Sequence, residues 1–262
     1  MLPGSRPALH HHARKRPVLD LALALALALS LTALTATAAS PTAESLTPHS
    51  ARFAVKYRGM DAGTSDTRLE TAAPGPDGRL RFSFTNRSVP KGLAALFLPG
   101  TITQRTQFTY TADGVRPEAY RLEDGSHNTS RDVRLDFDWA QGRVTGVAED
   151  KPVDLPLSVG LQDALTISLQ VRWLLQQGRS PQRLVMIEKD QTKDYDYVFA
   201  GHERLNTALG PLDTVIWRSS RPGSDRITRT WYAPTYGYLP VKAEQTRRGQ
   251  PLMSFSVSSY QP

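Results

Sequence analysis

The chain has 262 residues, no cysteine, and 32 basic against 25 acidic side chains. The absence of cysteine excludes disulfides, cysteine-ligated zinc or iron sites, and acylation on a cysteine of the kind found in bacterial lipoproteins. The net charge of +7 is spread through mixed stretches such as Arg131 to Asp138 and forms no single basic block, so no nucleic-acid partner is expected.

The first 38 residues are predicted to be a cleavable signal peptide. A basic head at Arg14 to Arg16 precedes an apolar run from about Val18 to Leu34. The small residues around the expected cleavage site are Ala36, Ala38 and Ala39. A retained membrane anchor is the alternative, but the apolar run of about 17 residues is shorter than a spanning helix of about 20. We expect an exported, periplasmic protein that is not integral to the membrane after cleavage, with a net charge of +4 once residues 1 to 38 are removed.

The mature chain is predicted to be one β-rich domain. Residues 39 to 51 are expected to be a disordered tail. Residues 52 to 260 are expected to be a single domain, because no flexible linker divides this segment. Apolar and polar residues alternate with period two, most clearly from Asp132 to Trp139, as in strands with one buried face. Turn residues between such runs predict about 12 strands, in a large curled antiparallel sheet or incomplete barrel.

One mid-chain segment has a different pattern. Leu161 to Gln177 contains no Gly or Pro, and Gly178 follows it, so a helix is predicted. Its apolar residues cover more than one stripe, which indicates a largely buried helix on the concave side of the sheet. A short second helix is predicted at Gly92 to Leu98.

Seven short strings occur in an order that resembles the family of exported bacterial proteins called domain of unknown function 3108. They are Pro117 to Tyr120, Phe137 to Trp139, Gln162 to Leu165 with Arg172, Tyr195 to Phe199, Gly201 to Thr207 with Gly210, Trp231 to Pro234, and Leu239 to Lys242. The positions that we single out are Phe137, Asp138, Trp139, Asp163, Gly210, Leu239 and Pro240. The resemblance implies a periplasmic β-rich domain and supplies no catalytic residues.

The sequence nominates no catalytic, cofactor or metal site. His127 lies in a predicted turn, and His202 has no second histidine at metal-ligand spacing. Asp136 and Asp138 would lie about 7 Å apart on one strand face, a separation used by glycosidases, but a solvated face is the favoured interpretation. An enzyme is therefore not favoured, and a hydrolase is the third hypothesis.

Aromatic residues concentrate in the last third of the chain. Candidates for lining an apolar ligand pocket are Tyr195, Tyr197, Phe199, Trp217, Trp231 and Tyr232. Core packing against the predicted helix is the alternative. Arginines at positions 218, 221, 226 and 229 either contact anionic lipid headgroups or sugars or form a solvated face.

The leading hypothesis is a non-enzymatic binding or envelope-maintenance protein that handles a lipid or another apolar or amphipathic component. A structural or interaction module without a small ligand is the second hypothesis. It predicts a filled interior together with an exposed apolar or arginine-rich patch. The oligomeric state stays open.

Overall fold

The computed structural model describes residues 47–75, 78–96 and 100–262. The predicted signal peptide, with Ala36, Ala38 and Ala39, lies outside the described residues. The described residues contain fifteen strands and one α-helix. The strands are β1 (His49–Tyr57), β2 (Met60–Ala72), β3 (Arg81–Pro90), β4 (Ile102–Thr111), β5 (Gly114–Glu123), β6 (Val133–Asp138), β7 (Arg143–Ala148), β8 (Lys151–Pro156), β9 (Leu161–Gln162), β10 (Arg183–Glu188), β11 (Gln191–Thr207), β12 (Gly210–Ser220), β13 (Arg226–Ala233), β14 (Leu239–Arg247) and β15 (Gln250–Gln261). The helix is α1 (Thr166–Gln176).

All fifteen strands belong to one curled sheet. Its order is β8-β7-β6-β5-β4-β3-β2-β1-β15-β14-β13-β12-β11-β10-β9, and neighbouring strands in this order are antiparallel except for the parallel pair of β9 and β10. The sheet curls until the β7–β8 turn meets the β10–β11 turn, where Lys189 Nζ lies 2.8 Å from Glu149 Oε1. The predicted fold class, a large curled antiparallel sheet with one buried helix, is confirmed.

The sheet wraps around α1. Ten consecutive helix residues, from Thr166 to Leu175, are buried, so protein surrounds the helix on every side. The helix begins later than predicted because Leu161 and Gln162 pair with β10 as β9, and Asp163 then turns the chain into the helix. The predicted second helix is a 3-10 helix at Gly92–Leu96.

Two hydrophobic clusters fill the fold. The first surrounds α1 and includes Trp173, Phe108 and Tyr232, each with at most 1% of its surface exposed. The second lies mainly on β1, β14 and β15 and includes Phe53 and Phe255. The space between the sheet and the helix is therefore occupied by core side chains.

The ordered domain begins before the expected boundary at residue 52. β1 starts at His49, which was expected in a disordered tail and is instead buried with 5% of its surface exposed. The strand continues the alternation of Ala51, Phe53 and Val55 on the buried face. The tail prediction therefore fails for residues 49 to 51, and about 12 strands was an underestimate.

Candidate functional site

One row of buried polar side chains across β2 to β5 is linked by internal hydrogen bonds. Ser65 Oγ donates to Asn86 Oδ1 at 2.6 Å, and Asn86 Nδ2 donates to Gln104 Oε1 at 3.3 Å. Gln104 Nε2 in turn donates to the hydroxyl of Tyr120 at 2.8 Å. Each group in this row has a protein partner. The row therefore links strands β2 to β5 to one another and has a structural role.

Asp163 is a buried carboxylate that caps α1. Its Oδ1 accepts hydrogen bonds from the backbone N–H groups of Leu165 at 2.7 Å and Thr166 at 2.8 Å, and its Oδ2 accepts one from Thr106 Oγ1 at 2.6 Å. The Thr166 hydroxyl accepts from the Asp163 N–H at 2.9 Å, which completes a reciprocal capping arrangement. Burial raises the pKa of Asp163 to about 6, and these hydrogen bonds limit the rise.

The six aromatic residues nominated for a ligand pocket do not converge on one site. Tyr195, Tyr197, Trp217 and Tyr232 pack in the cluster around α1. Trp231 belongs to the second cluster, and its Nε1 donates to Glu203 Oε2 at 2.7 Å. The Phe199 side chain is 40% exposed. The geometry therefore favours core packing for most of this set.

The candidate catalytic groups lie apart in exposed positions. His127 and His202 are both exposed, and the His202 ring makes a T-shaped, edge-to-face contact with Phe199. Asp136 pairs with Arg121 Nη2 at 2.6 Å, while Asp138 accepts two backbone N–H bonds of the β6–β7 turn. Within the described ranges, no group of three or more His, Asp or Glu side chains is placed to hold a metal ion.

The residues that carry the family resemblance have structural contacts. Phe137 and Leu239 are core residues, and Asp138 and Asp163 cap a turn and the helix. Trp139 Nε1 donates to the carbonyl of Pro117 at 2.6 Å. Gly210 takes a positive φ of 97° where β12 begins, and Pro240 pairs with Tyr232 beside a bulge. The contacts of these motif residues are therefore structural.

The outer face of the sheet carries a concavity that the sequence did not nominate. We call it the arginine groove: a depression of about 520 Å³ on β1 to β4 and β15, whose charged lining is Arg52, Asp66, Arg68, Glu70, Arg87 and Arg105. Four guanidinium groups thus face two carboxylates. Asp66 pairs with Arg52, and Glu70 pairs with Arg68 at 2.9 Å.

The two remaining arginines of the groove have no acidic partner. Arg105 Nε donates only to the hydroxyl of Thr85, at 3.4 Å. The Arg87 side chain makes no hydrogen bond or ion pair with the described residues, and Asp66, which lies opposite it on β2, pairs with Arg52 instead. Both residues are exposed. The groove therefore has an uncompensated positive charge that faces solvent.

Arginines also oppose one another beside the groove. Arg105 of β4 lies directly opposite Arg121 of β5, which lies opposite Arg134 of β6. Like charges in directly opposed positions destabilise a sheet. Arg121 is offset by Asp136 and by the Leu135 carbonyl at 2.6 Å, whereas the nearest carboxylate to Arg134, that of Asp132, is 3.8 Å away.

The arginines nominated from the sequence lie on a different part of the sheet. Arg218 and Arg229 oppose each other across β12 and β13, and the Arg229 guanidinium stacks over Trp231. Arg221 pairs with Glu188 Oε2 at 2.6 Å. Arg221 and Arg226 line a pocket of about 30 Å³, which is too small for a headgroup. Arg221 and Arg226 are therefore less open to an anion than the arginine groove, whereas Arg218 and Arg229 are exposed but line no pocket of comparable size among those described.

None of the described helices is long and apolar enough to cross a bilayer.

The fold and its surface define a class: a β-barrel-like domain in which one curled sheet encloses a single helix. A crystal structure of a beta-barrel-like protein of domain of unknown function 1849 from Brucella abortus has this fold, with a TM-score of 0.50 and 12% identity over 82% of this chain and 98% of that chain. The chain belongs to the DUF3108 family of proteins of unknown function, whose sequence profile matches residues 52–252. The predicted family is therefore confirmed.

Two further solved structures are more distant. A candidate lipoprotein from Parabacteroides distasonis has a TM-score of 0.39 and 10% identity, over 83% of this chain and 96% of that chain. A candidate exported protein with a YmcC-like fold from Bacteroides fragilis has a TM-score of 0.34 and 11% identity, over 88% of this chain and all of that chain. Among curated proteins, none matches this sequence significantly.

Proposed function

We propose that this protein is a non-enzymatic binding protein of the bacterial periplasm, which handles an amphipathic envelope component by holding its phosphorylated headgroup in the arginine groove. The observation that carries the proposal is the pair Arg87 and Arg105, two exposed guanidinium groups without acidic partners in one concavity. The signal-peptide pattern at the N-terminus supports the location.

The chemistry of the groove fits a phosphate-bearing headgroup. Arginine presents planar paired N–H donors that match phosphate oxygens, and such charge-assisted bonds are stronger than neutral ones. Arg52 and Arg68 flank the two unpaired guanidinium groups while held by Asp66 and Glu70. A groove of about 520 Å³ also has the size of a small-molecule site.

The packing inside the sheet supports recognition by the headgroup rather than by the acyl chain. An acyl pocket on the concave side would have to occupy the space that α1 and its surrounding core residues fill. Because the helix is buried on every side, a bound lipid would keep its apolar part in its own membrane or aggregate. The proposal therefore assigns only the polar end of the ligand to this protein.

A vesicle-binding experiment tests the proposal. The mature chain is mixed with vesicles of equimolar phosphatidylglycerol and phosphatidylcholine, or of phosphatidylcholine alone, and the bound fraction is measured by flotation. Each basic residue near an anionic surface contributes about 1 kcal/mol, so the double variant Arg87→Gln/Arg105→Gln is expected to lose about 2 kcal/mol, or roughly 30-fold in affinity. Binding should also weaken as salt rises above about 0.1 M.

The matched control removes two exposed arginines of β11 and β12. Arg204→Gln/Arg218→Gln changes the net charge equally on a distant part of the same sheet. This control is expected to bind within about twofold of the wild type, because salt screens charges that are far from the bound headgroup. Equal losses in both double variants, or equal binding to neutral vesicles, would reject the groove as the headgroup site.

The filled interior and the arginine-rich face also favour one other function, an envelope interaction module that docks an acidic protein surface. In that case vesicles would not bind the chain, whereas crosslinking in cells would give one discrete protein adduct that the Arg87→Gln/Arg105→Gln variant loses. That pattern of results would replace the lipid proposal.

A further inference from the structure

A second uncompensated cation lies inside the domain, on α1. Arg172 is buried, with 5% of its surface exposed, and no carboxylate of the described residues lies within ion-pair distance. Its Nε donates to the Gly237 carbonyl at 3.2 Å, and its Nη1 donates to His49 Nε2 at 3.2 Å. A guanidinium has five N–H donors, and Nη2 has no hydrogen-bond partner among the described residues.

The neighbours of Arg172 are neutral. Burial, and then the Arg172 charge, lower the pKa of His49 to about 4. The Thr47 carbonyl, 2.9 Å from His49 Nδ1, can only accept, so Nδ1 holds the proton and Nε2 accepts from Arg172. Burial raises the pKa of the Tyr110 and Tyr232 phenols, which therefore stay protonated. None of these groups offsets the positive charge.

The fold gives Arg172 only weak internal compensation. Its position in the second half of α1 is favourable for the helix dipole, but that interaction is weaker than the cost of burying an unpaired charge. Asp163, the buried carboxylate that caps the start of this helix, lies nine residues earlier in the chain, roughly 13 Å away at a rise of about 1.5 Å per residue. An anion from outside the protein is the remaining source of compensation.

A buried hydroxyl that interacts with the Arg172 charge also lacks a hydrogen-bond partner. The Tyr110 hydroxyl is fully buried, interacts electrostatically with the Arg172 guanidinium, and has no hydrogen-bond partner. The hydroxyls of Tyr232 and Tyr260 lie within electrostatic reach of the same guanidinium. These groups are hydrogen-bond donors, which is the chemistry that recognises an oxyanion.

The site lies one layer below the surface. The turn at Tyr236 to Tyr238 covers it, and all three residues of this turn are half-buried. A Cβ placed on Gly237 would lie 3.7 Å from Arg172 Nη2, so the unpartnered nitrogen lies directly under this turn. A small group could reach Nη2 by displacing one short turn, without opening the sheet.

We propose that Arg172, with the Tyr110 hydroxyl, is a binding site for one oxyanion group, a carboxylate or a phosphate, beneath the turn at Gly237. This site is separate from the arginine groove on the outer face and goes beyond the function proposed above. The anion would accept hydrogen bonds from Arg172 Nη2 and from Tyr110, and it would supply the negative charge that the protein lacks there.

The test is calorimetric titration of the mature chain with inorganic phosphate and, in a second arm, with acetate, both at constant ionic strength set with chloride. We expect saturable binding at one site per chain in at least one arm; phosphate alone would assign a phosphate, and acetate alone a carboxylate. Tyr110→Phe keeps the ring and removes only the unpartnered hydroxyl, so it should fold normally and bind about tenfold more weakly or worse.

The control is Tyr197→Phe, which removes another buried hydroxyl without a partner; Tyr197 is not among the phenols that interact electrostatically with Arg172. Its affinity should match that of the wild type. Arg172→Gln should abolish binding if it folds. The proposal is wrong if neither anion gives saturable binding, or if Tyr110→Phe binds as tightly as Tyr197→Phe.

Discussion

Replacement of Asp163 by asparagine should stabilise the protein at neutral and alkaline pH. Asparagine keeps the oxygen that caps the Leu165 and Thr166 N–H groups, and its NH₂ group can donate to Thr106 Oγ1, to which the carboxylate now lies 2.6 Å away. The substitution removes the buried negative charge and keeps the cap. Asparagine is also a favourable residue at a helix N-cap.

The expected magnitude follows from the pKa of the carboxyl. Burial raises the pKa of Asp163 from 3.8 to about 6, and each pH unit corresponds to about 1.4 kcal/mol. A carboxyl with a raised pKa stabilises the fold below its unfolded pKa, and this contribution is lost as the pH rises through about 6. Above about pH 7, ionised Asp163 therefore lowers the free energy of unfolding by about 3 kcal/mol. This value is the upper limit of the stability gained by Asp163→Asn.

Urea unfolding, followed by tryptophan fluorescence, measures this difference. Asp163→Asn should exceed the wild type by about 1 to 3 kcal/mol at about pH 8, and the gap should close by about pH 4. The control Asp138→Asn changes an exposed carboxylate that also caps backbone N–H groups, at 2.9 and 3.0 Å, and should stay within about 0.5 kcal/mol. A gap that is independent of pH, or a less stable asparagine variant at about pH 8, would refute the reasoning.

Two further stability predictions concern His49 and the β6–β7 hairpin. His49 has a pKa lowered from 6.5 to about 4, so its neutral form contributes stability above pH 6.5 that is lost as the pH falls through about 4; urea unfolding of His49→Gln should lack this loss of about 3 kcal/mol. Gly146→Ala would put a Cβ 1.9 Å from the Arg134 carbonyl oxygen and should cost about 3 kcal/mol or more. Gly142→Ala has no atom within 4 Å of the new Cβ and should cost only about 1 to 2 kcal/mol for its positive φ. Equal urea midpoints for the two alanine variants would contradict the steric argument.

The sequence predicted the sheet and the helix because both follow from local periodicity. Val133, Leu135 and Phe137 alternate with charged residues, and β6 buries this face. The helix boundary was wrong because Leu161 and Gln162 look like helix residues in an apolar run, although both belong to β9. Only the pairing with β10, more than twenty residues later, separates them from the helix.

The arginine groove could not be predicted because its residues are far apart in the chain. Arg52, Arg68, Arg87 and Arg105 lie on four consecutive strands, each at a polar position of an ordinary alternating pattern. Strand register brings them together, and register is not visible without the pairing of the whole sheet. The family resemblance did not help, because its motif residues cap, turn or pack the fold.

Arg87 and Arg105 lie on a sheet where other arginines pair with carboxylates across neighbouring strands. Arg183 lies 2.7 Å from Asp196, and Arg204 lies 3.0 Å from Asp213, each across neighbouring strands. Arg87 lies opposite Asp66, but that carboxylate pairs with Arg52, and Arg105 lies opposite Arg121. Arg218 and Arg229 also face each other without an ion pair to a carboxylate of the described residues, but the two unpaired arginines of the groove share one concavity, where a ligand can supply the missing charge. The wild-type groove, and not the sheet as a whole, should therefore carry the salt-sensitive binding to anionic vesicles.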